Sequence, residues 1–109
     1  MMQSDTMMQG DAFSQEIKIL KNDEVVTPDD VADVEITIGG LSKTYASGKV
    51  KYVGGVWMFP MSQKETFRFA ATRLSVQVRV CWPTGEVEGI ELGEIFVTES
   101  ASRKVLGGD

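Results

Sequence analysis

Residues 49–61 read KVKYVGGVWMFPM: two short apolar runs, each carrying large aromatic side chains, on either side of Gly54-Gly55. Glycine takes positive φ at little cost, so the pair suits a two-residue hairpin loop that needs positive φ at both central positions. That loop sets Val53 opposite Val56, Tyr52 opposite Trp57, Lys51 opposite Met58 and Val50 opposite Phe59. Cross-strand partners share a face, so Val50, Tyr52, Trp57 and Phe59 form one wall of a core. A slip of one residue would scatter that wall. The other face carries Lys51, Met58 and the Val53–Val56 pair and is expected to be partly exposed. Pro60 has no backbone donor and either ends the ladder or marks an edge.

The same period of two recurs on both sides of this hairpin. Upstream, 13–20 places Phe13, Ile17 and Ile19 on one face, and 33–39 sets Val34, Ile36 and Ile38 against Asp33, Glu35 and Thr37. Residues 21–24 (KNDE) read as a turn. Residues 28–30 (PDD) read as another that could cap a single helical turn. Gly39-Gly40 breaks a strand, and 41–46 follows as a short strand or edge segment. Downstream, 66–69 reads as a strand with Phe67 and Phe69 inward and Thr66 and Arg68 outward. Residues 70–74 form a short connection. The 75–82 strand places Val76, Val78, Val80 and Trp82 inward, with Ser75, Gln77, Arg79 and Cys81 on the other side. Pro83-Thr84-Gly85 is a turn. Residues 86–98 hold one or two last strands, in which Gly89 and Gly93 suggest bulges or close backbone contacts. About seven short strands, with turn signals every 8–12 residues and no long helix, predict an all-β antiparallel sandwich or small barrel. Three segments result: a Met-rich polar leader at 1–12, a β-sandwich domain at 13–100 and a flexible tail at 101–109. The leader repeats MMQ at 1–3 and 7–9. It reads as a polar extension before a second possible start at Met7, or as an adaptable Met-rich contact arm.

A chain of 109 residues is one domain by length. At that size it buries roughly two-thirds of its unfolded surface and needs no metal or disulfide to fold. Net charge is −5, from 11 basic and 16 acidic residues. The basic side chains are scattered, without the stripe that phosphate-backbone binding uses, so nucleic acid is not an expected partner. No apolar run reaches the ~20 residues of a membrane span, and the first residues lack the basic and apolar regions of a secretory signal. Membrane is therefore not an expected partner either.

Chemistry-bearing residues are few. There is no histidine, hence no Ser-His-Asp or Cys-His arrangement, and the single Cys81 cannot form an internal disulfide. Zinc draws on Cys and His and is not expected. Asp29, Asp30, Asp33 and Glu35 form the best oxygen cluster for calcium but lack EF-hand spacing. Glu86, Glu88, Glu91 and Glu94 form a second acidic group, read as a solvated strand edge. The Gly-Gly pairs at 39–40, 54–55 and 107–108 match no nucleotide-binding motif. Trp57 and Trp82 could stack on sugars if exposed, although their alternation places both in the core. No catalytic, cofactor-binding or metal residue is assigned, no cofactor is expected, and the chain is not expected to be an enzyme.

The order of segments carries a resemblance. EIKILKNDEVVTPDDVADVEITIGG resembles the opening strand, polar turn, Thr/Asp loop and alternating strand of small phage tail and baseplate domains. ASGKVKYVGGVWMFPMSQKETFRF resembles their central hairpin and the Thr- or Glu-rich link after it. LSVQVRVCWPTGEVEGIELGEIFVTES resembles their closing hairpin. Residues 15–100 are thus similar to the N-terminal domain family of phage baseplate upper proteins and to small prophage-encoded tail or baseplate proteins of Firmicutes. The resemblance implies an immunoglobulin-like sandwich and a virion structural role without catalysis. It implies other phage structural proteins, or further copies of the chain, as partners. The protein would stay in the cytoplasm of the host bacterium until built into a virion. It implies no site residue, and this chain lacks the longer receptor-side region that follows the domain in those proteins. The alternative from a different class is a carbohydrate-binding or adhesion module on the same sandwich.

Overall fold

The computed structural model describes residues 5–107, so the first MMQ and the final Gly108 and Asp109 lie outside the described residues. Among the described residues ten strands form: β1 (Asp5–Met8), β2 (Phe13–Ile17), β3 (Leu20–Lys21), β4 (Glu24–Val25), β5 (Asp33–Ile38), β6 (Leu41–Thr44), β7 (Lys51–Val53), β8 (Val56–Met61), β9 (Arg73–Cys81) and β10 (Val87–Thr98). A five-stranded sheet runs β1-β10-β9-β5-β6, a three-stranded sheet runs β2-β8-β7, and β3-β4 is a separate hairpin. The protein is an all-β sandwich, as the alternation predicts, with more strands than the expected seven. All pairings are antiparallel except β1 with β10, which is parallel.

The Gly54-Gly55 loop forms as read, with φ of 60° and 91° and the pairs Val53–Val56, Tyr52–Trp57 and Lys51–Met58. Val50, Trp57 and Phe59 are fully buried, and Tyr52 lies half-buried with its ring edge-on to Trp57. Residues flanking a two-residue loop exchange both backbone bonds, and the pattern repeats every second residue. Val56, Met58 and Pro60 therefore aim their backbone groups toward β7. Strand β7 begins only at Lys51, opposite Met58, so Pro60 lies beyond it where no N–H is needed. The Pro60 carbonyl accepts a hydrogen bond from Lys43 Nζ at 2.5 Å instead, while the ladder with β2 continues on the other side.

Val34, Ile36 and Ile38 of β5 and Val76, Val78 and Val80 of β9 are all fully buried and pack against the β8 wall. The residue-22 and residue-23 turn holds Asn22 and Asp23 at φ of 51° and 67° between β3 and β4. Pro28–Asp30 is a 3-10 turn capped by Thr27 and Asp30. Strand β10 is single, and its register shifts between Glu91 and Gly93. The extra residue, Leu92, reverses the alternation. Ile90 and Leu92 face the core before it, and Ile95 and Val97 after it. Gly93 therefore marks a bulge, while Gly89 pairs regularly with Arg79.

Five expectations need correction. Residues 63–67 form a short helix, α1 (Gln63–Phe67), in place of a strand at 66–69. Ser62 Oγ accepts the Glu65 N–H and Glu65 Oε1 accepts the Ser62 N–H, a capping box that starts the helix. Helical spacing then buries Gln63 and Thr66 and leaves Phe67 half-buried, though Phe69 is inside as expected. Phe13, at the open end of β2, is 36% exposed, and the buried residue between it and Ile17 is Gln15. Trp82 lies half-buried at the rim of the core. The described part of the leader belongs to the sandwich: β1 pairs with β10, and Met7 is buried, paired with Val97. The tail is also fastened at Arg103 and Leu106. Leu106 exchanges two backbone-to-side-chain bonds with Gln63, and Arg103 donates to Gln9 Oε1 (2.8 Å) and to the Phe67 carbonyl (3.1 Å).

Candidate functional site

The two acidic groups singled out in the sequence do not converge. Asp30 Oδ2 accepts from the Thr27 N–H and hydroxyl, Asp33 Oδ1 accepts the Val34 and Ala46 N–H groups, and Glu35 lies 3.9 Å from Arg79. Each carboxylate fastens a different turn or strand. On β10, Glu91 meets Gln77, Glu94 meets Arg73 and Glu88 meets Lys21, spread along the strand. Among the described residues no group of three or more His, Cys, Asp or Glu side chains could hold a metal ion. Cys81 is half-buried and its thiol lies 3.8 Å from the Trp82 carbonyl.

The arrangement that does converge lies where the β9–β10 turn meets the β3–β4 hairpin. Trp82 extends the inward phase of β9 past the end of the strand, so its indole caps the core beneath Lys21. Lys21 Nζ lies 5.3 Å from the Trp82 ring centroid and donates to Glu88 Oε1 at 2.6 Å. The Trp82 indole N–H donates to the same carboxylate oxygen at 3.2 Å. The Lys21 ammonium, and after it the indole N–H, hold the Glu88 carboxyl below the usual carboxylate range. A shallow groove of about 620 Å³ opens on the side of Pro83, Glu86 and Val87. A second depression of about 340 Å³ opens on the side of Asn22, Glu24 and Asp30. Lys21 and Trp82 line both. Sequence reasoning placed Trp82 in the core and treated Lys21 as a turn residue. Their partnership with Glu88 spans 67 positions, and no local pattern signals it.

The sheet margins form the other candidate surface. The Gln9 N–H bonds the Thr98 carbonyl, toward β10, so by alternation the backbone groups of Met8 point to the free side of β1. Both are already used: the Met8 N–H donates to Asp11 Oδ2 (2.9 Å) and the Met8 carbonyl accepts the Asp11 N–H (3.0 Å). On β6 the Thr44 carbonyl accepts the Val50 N–H, and on β2 the Glu16 carbonyl accepts from Gln15 Nε2. These local bonds reduce what the edges offer an added strand. The outer face of the large sheet is mostly polar, with Thr37 bonded to Ser42 and Gln77 to Glu91. At the β1 margin it turns apolar: Met8 is 47% and Phe96 44% exposed, on adjacent paired strands.

Among the described residues no helix is long and apolar enough to cross a membrane. Comparison with protein-family models, with curated proteins and with solved structures finds no significant match.

Proposed function

We propose that the chain is a prophage-encoded structural protein of a phage tail or baseplate. It acts through contacts with other virion proteins or further copies of itself, without catalysis or a cofactor, and stays in the cytoplasm of the host bacterium until built into the particle. The segment resemblance over 15–100 supports the phage setting. The observation that carries the contact mode is the exposed Met8–Phe96 pair, diagonal neighbours on β1 and β10 at the margin of a mostly polar sheet face. Exposed apolar side chains that adjoin on adjacent strands mark an interaction surface more often than scattered ones do. Because the β1, β6 and β2 margins each have at least one backbone group already used locally, packing by the face is favoured over pairing at these edges. The alternative, a carbohydrate-binding module, is supported by the half-buried Trp82 at its groove. Lys21 already covers a face of that ring, so a sugar stacking there would have to displace it.

Induction of a lysogen followed by proteomics of purified particles tests the proposal: the protein is expected in the particle. Phe96→Ser is expected to weaken association in light scattering while leaving the circular dichroism spectrum unchanged. Absence from particles, together with specific glycan-array binding, would transfer the assignment to the carbohydrate reading.

A further inference from the structure

The geometry points to the Trp82–Glu88 groove as a docking site for a basic side chain, arginine or lysine, on a partner protein, with Lys21 as its internal occupant. The inference rests on the reading of the chain as an assembling protein and names one contact and its chemistry.

Lys21 shows what the site accepts. Its ammonium lies over the indole at cation–π distance and against the carboxylate that also takes the indole N–H. This combination of aromatic face and anion recognises an ammonium or guanidinium group, and arginine more often than lysine. The surroundings favour a second cation. Glu86 and Glu88 line the larger groove, Glu24 and Asp30 the adjoining depression, and Lys21 is the basic residue in both. Four acidic residues thus line the two depressions against one lysine, and of the four only Glu88 is bonded to it. Lys21 is weakly held: its side chain is 43% exposed and that of Glu88 41%, and exposed ion pairs contribute little to stability. An incoming guanidinium can therefore replace Lys21 over the ring, and Lys21 can swing into water on its flexible stem. A neutral sugar would gain the ring but bring no charge to replace Lys21 at Glu88.

A hexa-arginine peptide titrated into the full-length protein at low salt tests this, read by two-dimensional NMR at the Trp82 indole N–H. The wild-type indole signal is expected to shift on titration and to return at high salt. Glu88→Gln should weaken binding about two- to fivefold, the scale of an exposed cation–π or ion-pair contact. Lys21→Met should strengthen it by a similar factor, because the internal competitor is gone. Glu94→Gln removes the same charge near the far end of β10 and should leave the Trp82 response unchanged. Equal binding by the Glu88 and Glu94 variants, or weaker binding by Lys21→Met, would overturn the proposal. So would an indole shift on adding neutral oligosaccharides but not hexa-arginine. Failure here would leave virion assembly through the Met8–Phe96 face to its own test in purified particles.

Discussion

Replacing Thr66 by valine isolates one buried hydroxyl. Thr66 has no exposed surface. Its Oγ1 accepts the Gly10 N–H at 2.9 Å and donates to the Asp11 carbonyl at 2.8 Å, bridging α1 to the connection between β1 and β2. Valine has nearly the same shape, so no cavity forms, but two backbone groups lose their partner. A buried polar group left unsatisfied costs about 1–3 kcal/mol. Both backbone groups are only partly enclosed and can recover some water, so the pair should cost about 2–4 kcal/mol. Thr66→Ser keeps the hydroxyl and removes one methyl, for about 1 kcal/mol. Urea denaturation followed by the fluorescence of buried Trp57 gives both values. The ordering is the decisive result: valine must be less stable than serine. A Thr66→Val protein equal to the wild type, or more stable than Thr66→Ser, would refute the bridge as a stabilising contact.

Deleting residues 1–12 should abolish cooperative thermal unfolding in calorimetry, because it strips β1 from β10, uncovers Val97 and removes Gly10 and Asp11 from Thr66; a sharp transition in the truncated chain would place the leader outside the fold after all. Gly10→Ala should be more destabilising than Gly40→Ala by at least about 1 kcal/mol in urea titrations, the order of cost for overpacking. Both glycines have φ near 90°, but an added Cβ at position 10 would lie 2.5 Å from the Phe67 ring, whereas position 40 opens to solvent. Trp57→Ala should cost about 3–5 kcal/mol, since the ring is fully buried and its N–H donates to the Val26 carbonyl at 3.0 Å; chemical denaturation showing a loss under about 1 kcal/mol would contradict its place in the core.

Strands whose two faces differ announce themselves locally. That is why β5, β8 and β9 and the hairpin at 54–55 are readable from residues alone: one face of each is buried, and the other is polar or bounded by glycine. The short helix is not readable in this way, because Thr66–Phe69 alternates by chance while the true signal lies upstream in Ser62 and Glu65. A search for the S-x-x-E pattern would have found it. Strand β1 is hidden for a different reason. DTMM has no alternation to detect, and its pairing partner is about ninety positions away, so only the assembled sheet reveals that Met7 belongs inside. The bulge at Leu92 also defeats a fixed period, since apolar residues switch from even to odd positions across it. The candidate groove is the least legible feature, because Lys21, Trp82 and Glu88 come from three separate segments and each looks ordinary alone.

Pairing β1 with β10 changes what Met7 and Met8 can do in an assembly. A free arm would have to be ordered on binding, and that entropy opposes association. Here Gln9 Nε2 donates to the Phe69 carbonyl at 2.7 Å, and Gln9 Oε1 accepts from the Ser100 N–H and from Arg103. Arg103 in turn lies 4.9 Å from the Phe67 ring centroid, against which Gly10 packs. The strand bearing Met8, the helix and the C-terminal tail are therefore held by one another, and loosening one exposes polar groups in the others. Among the described residues no buried side-chain nitrogen or oxygen lacks a hydrogen-bond partner. Met8 is thus carried on a strand that is already ordered, beside Phe96. A partner that covers the two meets a preformed surface and loses little of its binding energy to ordering this chain. The adaptability that methionine brings is then confined to the side chain, which can follow the partner's contour without the backbone moving.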